Sequence, residues 1–272
     1  MKAVFFSTHI TMTITIINDC RDANAAGRQV TRAISLLGGQ ATFIGVSNDL
    51  EASGNLVDAI DAIEDQEGVI LVNVAPRNGQ AKKWGNGTPF GYFWYKKILI
   101  IASIDGLTLS LAKKLNLVSS INVLDIPIAL DVLVKNAGIS IKSQKYITNS
   151  QFRSYDFLSR IAAYLLRQKN IQSTQLNFSE VLDAPPAIWW IDNFGNCKTT
   201  VLLKDITRKT NNRIITKVGE LPYFPQLKDI PDKCKALTTG SSGIGDKHFL
   251  EIVIQGGSAA KYFNLSSGDL VF

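Results

Sequence analysis

The residues best suited to chemistry lie in the stretch IWWIDNFGNCKTTV, Ile188 to Val201, where Asp192, Asn193 and Asn196 interrupt two apolar segments. A carboxylate in such a place can pair a cation, and an Asn side chain offers both a donor and an acceptor. Phe194 sets an aromatic ring between them. The same DNFGN string also makes a plain hairpin turn, because Asn and Asp tolerate left-handed backbone and Gly195 supplies positive φ. Spacing alone leaves a turn and a ligand site both open.

Other chemistries find fewer residues. The only histidines are His9 and His248, far apart in sequence, so a histidine metal cluster or a Ser-His-Asp relay is hard to assemble, and no metal is expected. Cys20, Cys197 and Cys234 show no CxxC spacing, which suggests neither a disulfide framework nor a zinc site and fits a reducing compartment. No apolar run approaches the roughly 18 residues of a membrane span. The first residues show no clear small-residue cleavage site, and TITIIND after Met12 already reads as a first strand, so Met12 is an alternative start to Met1. A cytoplasmic protein without membrane partners is expected.

The chain has 272 residues, 29 basic and 23 acidic, for a formal charge of +6. The basic residues come as scattered pairs (Lys82 and Lys83, Lys96 and Lys97, Lys113 and Lys114), which reads as solvated surface rather than a nucleic-acid footprint.

Strand and helix patterns alternate from Met12 to about Ile126. TITIIND is followed by a helix over DANAAGRQVTRAISLLGG with an apolar stripe of Ala26, Val30, Ala33, Ile34 and Leu37, stopped by Gly38 and Gly39. After the strand ATFIGVS, Ser47 or Asn48 can cap a helix whose stripe is Leu56, Ile60 and Ile63. The strands GVILVNVAP, GYFWYK, KILIIAS and INVLDI follow, with a helix from about Leu107 and another over SYDFLSRIAAYLLRQKN. This implies an α/β domain, residues 1–174, with a mainly parallel sheet covered by helices and ligands at the carboxyl ends of its strands, near Asn18, Asp19, Asn73 and residues 75–78. Asp19 can alternatively cap the first helix. IQSTQLNFSEVLDAPP reads as a linker, and short β-rich runs from Ile188 onward imply a small antiparallel, barrel-like all-β domain, residues 175–272.

Four segments, in this order, resemble one family. IDNFGNCKTTV is similar to the IDxFGNxxTN signature of the S-adenosylmethionine hydroxide adenosyltransferases, relatives of the fluorinating and chlorinating enzymes. SSGIGDKHFLEIVIQGGSAAKYFNLSSGDLV is similar to their closing segment. IIND matches the family's opening TDFG strand at its aspartate, and VNVAPRNG sits where the family has VVDPGVG. The resemblance implies a homotrimer with sites between one subunit's first domain and its neighbour's second, and S-adenosylmethionine as substrate or ligand with no other cofactor. It implies that Asp19 holds the ribose hydroxyls, Asp192 takes the methionine ammonium, and Phe194 stacks near adenine. It places Asn196 on an adenine edge and Ser241, with Ser242 beside it, at the methionine carboxylate.

The family's hydrolytic members activate water with an aspartate in VVDPG, an arginine shortly after, and a histidine in FHGRD. The matching positions here are Ala75, Lys82 or Lys83, and Arg153, while Asp156 keeps the downstream aspartate. Losing a general base costs about 10²- to 10⁴-fold, whereas in-line positioning contributes effective molarities of roughly 10⁵ to 10⁸ M. The reading is hydrolysis of S-adenosylmethionine at the 5′ carbon to adenosine and methionine. Its alternatives are a non-catalytic or redirected adenosyl-binding homologue and, more weakly, a halogenase. Lys82, Lys83 and Arg153 are the candidate catalytic groups, and the loop 77–88 is either their platform or a solvated excursion.

Overall fold

The structure, a computed structural model, describes residues 12–75, 88–150, 152–167, 171–207 and 212–272. The first sheet has seven strands: β1 (Thr13–Asn18), β2 (Gln40–Gly45), β3 (Gly68–Asn73), β4 (Phe90–Tyr95), β5 (Ile98–Ser103), β6 (Ser120–Leu124) and β7 (Ser173–Asn177), in the order β2-β1-β3-β5-β4-β6-β7. The pairings from β2 through β1 and β3 to β5 are parallel; those of β5 with β4, β4 with β6 and β6 with β7 are antiparallel. The sheet is therefore mixed, not mainly parallel as its pattern had implied. The cause is local. Tyr95 pairs with Ile98 across only Lys96 and Lys97, and a two-residue connection can join only antiparallel strands.

Helices cover both faces. One face packs Ile14, Ile16, Leu71 and Ile101 against α1 (Ala23–Leu37), α4 (Ile126–Ala137) and α6 (Ser159–Leu166). The other packs Ile17, Ile70, Val72 and Ile100 against α2 (Asp49–Ile63) and α3 (Ser110–Lys114). Asn48 caps α2 by accepting from the Glu51 N–H, and Leu56, Ile60 and Ile63 are buried as expected. In α1, Ile34 is exposed instead, while Gln29 and Ala33 take the buried places. Helices α4 and α5 (Ile141–Asn149) had no counterpart in the sequence pattern, and α6 is preceded by a π-helical turn over Ser154–Leu158.

The expected linker opens with β7, which continues the first sheet against β6, so residue 174 falls within a strand of that sheet. The second sheet contains β8 (Ile188–Ile191), β9 (Cys197–Leu202), β10 (Arg213–Thr216), β11 (Gly219–Phe224), β12 (Lys235–Ile244) and β13 (Lys247–Ile254), in the order β10-β11-β12-β13-β9-β8. Only β11 and β12 pair in parallel, so this sheet also departs from a purely antiparallel one. A short helix, α7 (Ala259–Phe263), precedes the C-terminal tail. The tail ties the two edge strands together: the Ile188 N–H donates to Asp269 O, Val271 N–H to Pro186 O, and Lys217 N–H to Val271 O.

The two domains meet on an apolar cluster in which Trp189, fully buried, packs with Leu50 and Val57 of α2, Leu111 and Leu115 near α3, and Phe249 of β13. At its margin lies a buried polar group. Lys198 donates to the Ser242 hydroxyl at 2.8 Å and stands 3.6 Å from Asp58 of α2, and Ser242 donates to Asp58 at 2.9 Å. Glu251 lies in the same group. Burial pushes the carboxyls of Asp58 and Glu251 above the ordinary carboxylate range, Lys198 opposing it in both. A raised folded-state pKa contributes stability that is complete below the unfolded value and is lost as pH rises through the folded one. Glu251→Gln, a mimic of the protonated side chain, is therefore expected to raise the melting temperature at pH 8 and to leave it little changed at pH 4, as read by calorimetry at both.

Candidate functional site

The mouth of the first sheet is built at the ends of β1 and β3. Asn18 is buried, donates from Nδ2 to Gln29 Oε1 at 2.8 Å and accepts the Cys20 N–H on Oδ1, which fixes the chain's exit from β1. Asp19 donates its N–H to Asn73 O, and its Oδ2 accepts the Ala75 N–H at 3.1 Å, so this carboxylate spans the two strand ends. Capping of α1 belongs to Asp22, which accepts from the Asn24 and Ala25 N–H groups at 3.0 Å. The helix-cap alternative for Asp19 is thus taken by another residue.

The hairpin joining β8 to β9 is organised around Asp192. Its Oδ1 accepts the backbone N–H groups of Phe194 and Asn196, each at 2.9 Å, and its Oδ2 accepts Asn196 Nδ2 at 3.0 Å. Turn and ligand readings are therefore compatible, because an ionised carboxylate has about four acceptor positions and three are used. Asn196, having spent one Nδ2 proton on Asp192, presents Oδ1 and its second proton. Phe194 is 70% exposed, a large apolar ring without cover in the isolated subunit. Gly195 has φ +85°, and a Cβ there would overlap the Ser258 hydroxyl. Its carbonyl accepts the Ala260 N–H, pinning the turn to α7. The Cys197 thiol beside it is buried, and burial pushes it up to about 12, with Asp192 adding to the shift. Alkylation at pH 8 is accordingly expected to label exposed Cys20 and to spare Cys197 in the folded protein, which peptide mapping after iodoacetamide treatment would read.

Ser241 and Ser242 lie inside β12, at its register irregularity between Thr239 and Gly243. Strand alternation separates them. Ser241 is exposed, whereas Ser242 is 3% exposed and turned to Lys198 and Asp58.

Among the candidate catalytic groups, Lys82 and Lys83 lie outside the described residues, as does the loop 77–88 up to residue 87. Arg153 stands at the start of the π-helical turn, and burial pulls its guanidinium below the ordinary arginine value. Asp156 is buried, accepts the Ser150 hydroxyl at 2.8 Å and faces Arg32 at 3.9 Å. Its contacts tie this carboxylate to Ser150 and Arg32.

The sequence reading missed Lys198, Glu251 and Asp58, and also the Arg28–Arg32 pair on α1. Their one local signal was charge within an otherwise apolar strand, CKTTVL and HFLEIV, or an i, i+4 spacing of like charges.

An α/β domain with an acidic strand end, followed by a β domain with an Asp-Asn hairpin, defines the class of architecture. Residues 186–272 match the family described as the SAM hydroxide adenosyltransferase C-terminal domain. This match covers the C-terminal third of the chain and agrees there with the resemblance read from the sequence. No curated protein matches the chain. Among solved structures, an uncharacterized conserved protein from Thermotoga maritima shares the fold at 16% identity and a TM-score of 0.65, over 95% of this chain and 98% of that one. No helix among the described residues is long and apolar enough to cross a membrane.

Proposed function

We propose that the protein binds S-adenosylmethionine and displaces methionine from the 5′ carbon with water, giving adenosine and methionine. The observation that carries this reading is the Asp192 hairpin, which lies within the matched domain and holds a partly satisfied carboxylate, an amide with acceptor and donor to spare and an exposed ring in one turn. Asp192 pairs the substrate's ammonium, Asn196 reads the adenine edge, Phe194 covers the base, and Ser241 takes the carboxylate. Asp19, supplied by the neighbouring subunit of a homotrimer, accepts both ribose hydroxyls. Held this way, the sulfur and the attacking water lie on opposite sides of the 5′ carbon. The C–O bond forms as the C–S bond breaks, the electron pair leaves on sulfur as a neutral thioether, and the water's proton passes to solvent. No acid is needed, and alignment supplies most of the acceleration.

A second reading, an adenosyl-ligand binder without turnover, is favoured by Ala75 and Arg153 standing where the family's hydrolytic members carry their aspartate and histidine. One experiment separates the two: pure protein is incubated with S-adenosylmethionine, with and without chloride, and products are resolved by chromatography. Adenosine and methionine in equal amounts support hydrolysis. Saturable binding with intact substrate after hours supports the binder, chlorinated adenosine supports halogenation, and absence of both binding and product overturns the adenosyl reading.

A further inference from the structure

A groove of about 440 Å³ runs along the outer side of α1, lined by Asn24, Gly27, Arg28, Thr31, Arg32 and Tyr155 among others. Arg28 and Arg32, one turn apart, bring their guanidinium carbons to 4.4 and 4.1 Å from the centre of the Tyr155 ring. Arg32 Nη2 donates to the Tyr155 hydroxyl at 2.6 Å, and a hydroxyl that accepts from a cation keeps its own proton for an acceptor elsewhere. Arg32 Nη1 is buried and makes no hydrogen bond among the described residues; its nearest carboxylate, Asp156, is 3.9 Å away and already holds Ser150. Arg160 stands behind the pair, its guanidinium pulled below the ordinary value by burial and then by the charge of Arg32. No carboxylate lines the groove among the described residues.

Gly27 is the second, independent observation. Glycine weakens a helix interior, and here nothing in the fold asks for it: a Cβ at this position meets no atom within 4 Å. Gly27 lines the groove, and the missing side chain leaves that stretch of its wall open.

We propose that this groove is a binding site for a phosphoryl group, with Arg28, Arg32 and the Tyr155 hydroxyl as its donors and Gly27 as the opening that admits it. The Arg28 guanidinium, the Arg32 N–H groups other than its buried Nη1, and the Tyr155 hydroxyl match an oxyanion with several outward oxygens, and guanidinium is suited to phosphate through its N–H donors. The groove is open along its length, so it admits a diphosphate or a phosphate ester as well as the lone ion. Tyr155 also lines the small cavity beneath Asn18, which puts the groove next to the mouth of the sheet while leaving it separate from the Asp19 and Asp192 groups. The site does not rest on the adenosyl reading.

The test is calorimetric titration of the full-length protein with inorganic pyrophosphate and, separately, with adenosine 5′-diphosphate. Saturable pyrophosphate binding is expected, weakened roughly 10- to 100-fold in Arg28→Gln, the loss of one charge-assisted contact. Gly27→Leu is expected to abolish it while melting at the same or a higher temperature and still binding S-adenosylmethionine as wild type does. Nucleotide binding that is tighter than that of pyrophosphate and is lost with it in Gly27→Leu identifies the ligand as a phosphate ester; equal or weaker binding, or nucleotide binding that Gly27→Leu leaves unchanged, identifies free polyphosphate. Absence of saturable binding at millimolar pyrophosphate, or an affinity unchanged in Gly27→Leu and Arg28→Gln, overturns the proposal.

Discussion

Asp192→Ala is expected to lose measurable S-adenosylmethionine binding and to melt at a lower temperature, two effects with separate causes. The carboxylate is the shared acceptor for the N–H groups of Phe194 and Asn196 and for the Asn196 side chain. Deleting it leaves three donors to find water, and each one that stays sequestered costs about 1–3 kcal/mol. It also removes the charge proposed to face the ligand's ammonium. Truncating one partner of a buried, hydrogen-bonded charge pair costs about 2–5 kcal/mol, or roughly 30-fold to several thousand-fold in affinity. Asp192→Asn narrows the comparison, because its remaining oxygen still accepts the Phe194 and Asn196 N–H groups, only the bond from Asn196 Nδ2 is lost from the turn, and the charge is gone. That variant is expected to melt near the wild-type temperature and to bind at least tenfold more weakly. Wild-type affinity in Asp192→Asn, measured by titration calorimetry, would remove Asp192 from the ammonium's surroundings.

Gly54→Leu is expected to undock the two domains. Gly54 sits in α2 where the indole of Trp189 lies directly against the backbone, and an added Cβ would fall inside that ring system. Trp189 has nowhere to move, being enclosed by Leu50, Val57, Leu111, Leu115 and Phe249. Overpacking of a closed core costs about 1–3 kcal/mol and occasionally more. Helix propensity pulls the other way by roughly 0.5–1 kcal/mol, since glycine is a poor helix interior residue, so a net fall isolates the junction as its cause. Thermal melts are expected to shift down by several degrees at about 2–4 °C per kcal/mol. Tryptophan emission is expected to move to the red as Trp189 meets water. An unchanged melt and spectrum would show that the junction does not contribute to stability.

Much of the fold was readable because it rests on local periodicity. The Leu56, Ile60 and Ile63 stripe with Asn48 before it specifies α2 without reference to the rest of the chain, and DNFGN specifies the hairpin. What escaped was decided by partners distant in sequence or by residues with two uses. INVLDIPIALDVLVKN is rich in apolar residues across both elements, so periodicity does not mark where β6 ends and α4 begins; Asp125, whose carboxylate accepts the Ile128 N–H, and Pro127 in the first turn were the signals. STQLN is too polar to look like a strand, yet as an edge strand it needs only one apolar face against β6. The parallel-sheet expectation failed on the two residues Lys96 and Lys97, which force a hairpin.

The candidate site divides in the same way. Asp19 and the Asp192 turn sit at places that strand ends and turn chemistry dictate. Strand alternation turns Ser242 away from Ser241, and the partner it meets there is Asp58, 184 positions earlier, a pairing that no short-range pattern reports.

The central claim is that Asp19 of one subunit and Asp192 of another grip one ligand. The most direct measurement is complementation: Asp19→Ala and Asp192→Ala proteins, each unable to bind alone, are co-expressed and the mixed oligomers titrated with S-adenosylmethionine. A shared site predicts that about a quarter of the sites regain wild-type affinity, the random-assortment share in a ring of heterologous contacts. If both residues served a site within one chain, every site would keep one defect, and no binding would return.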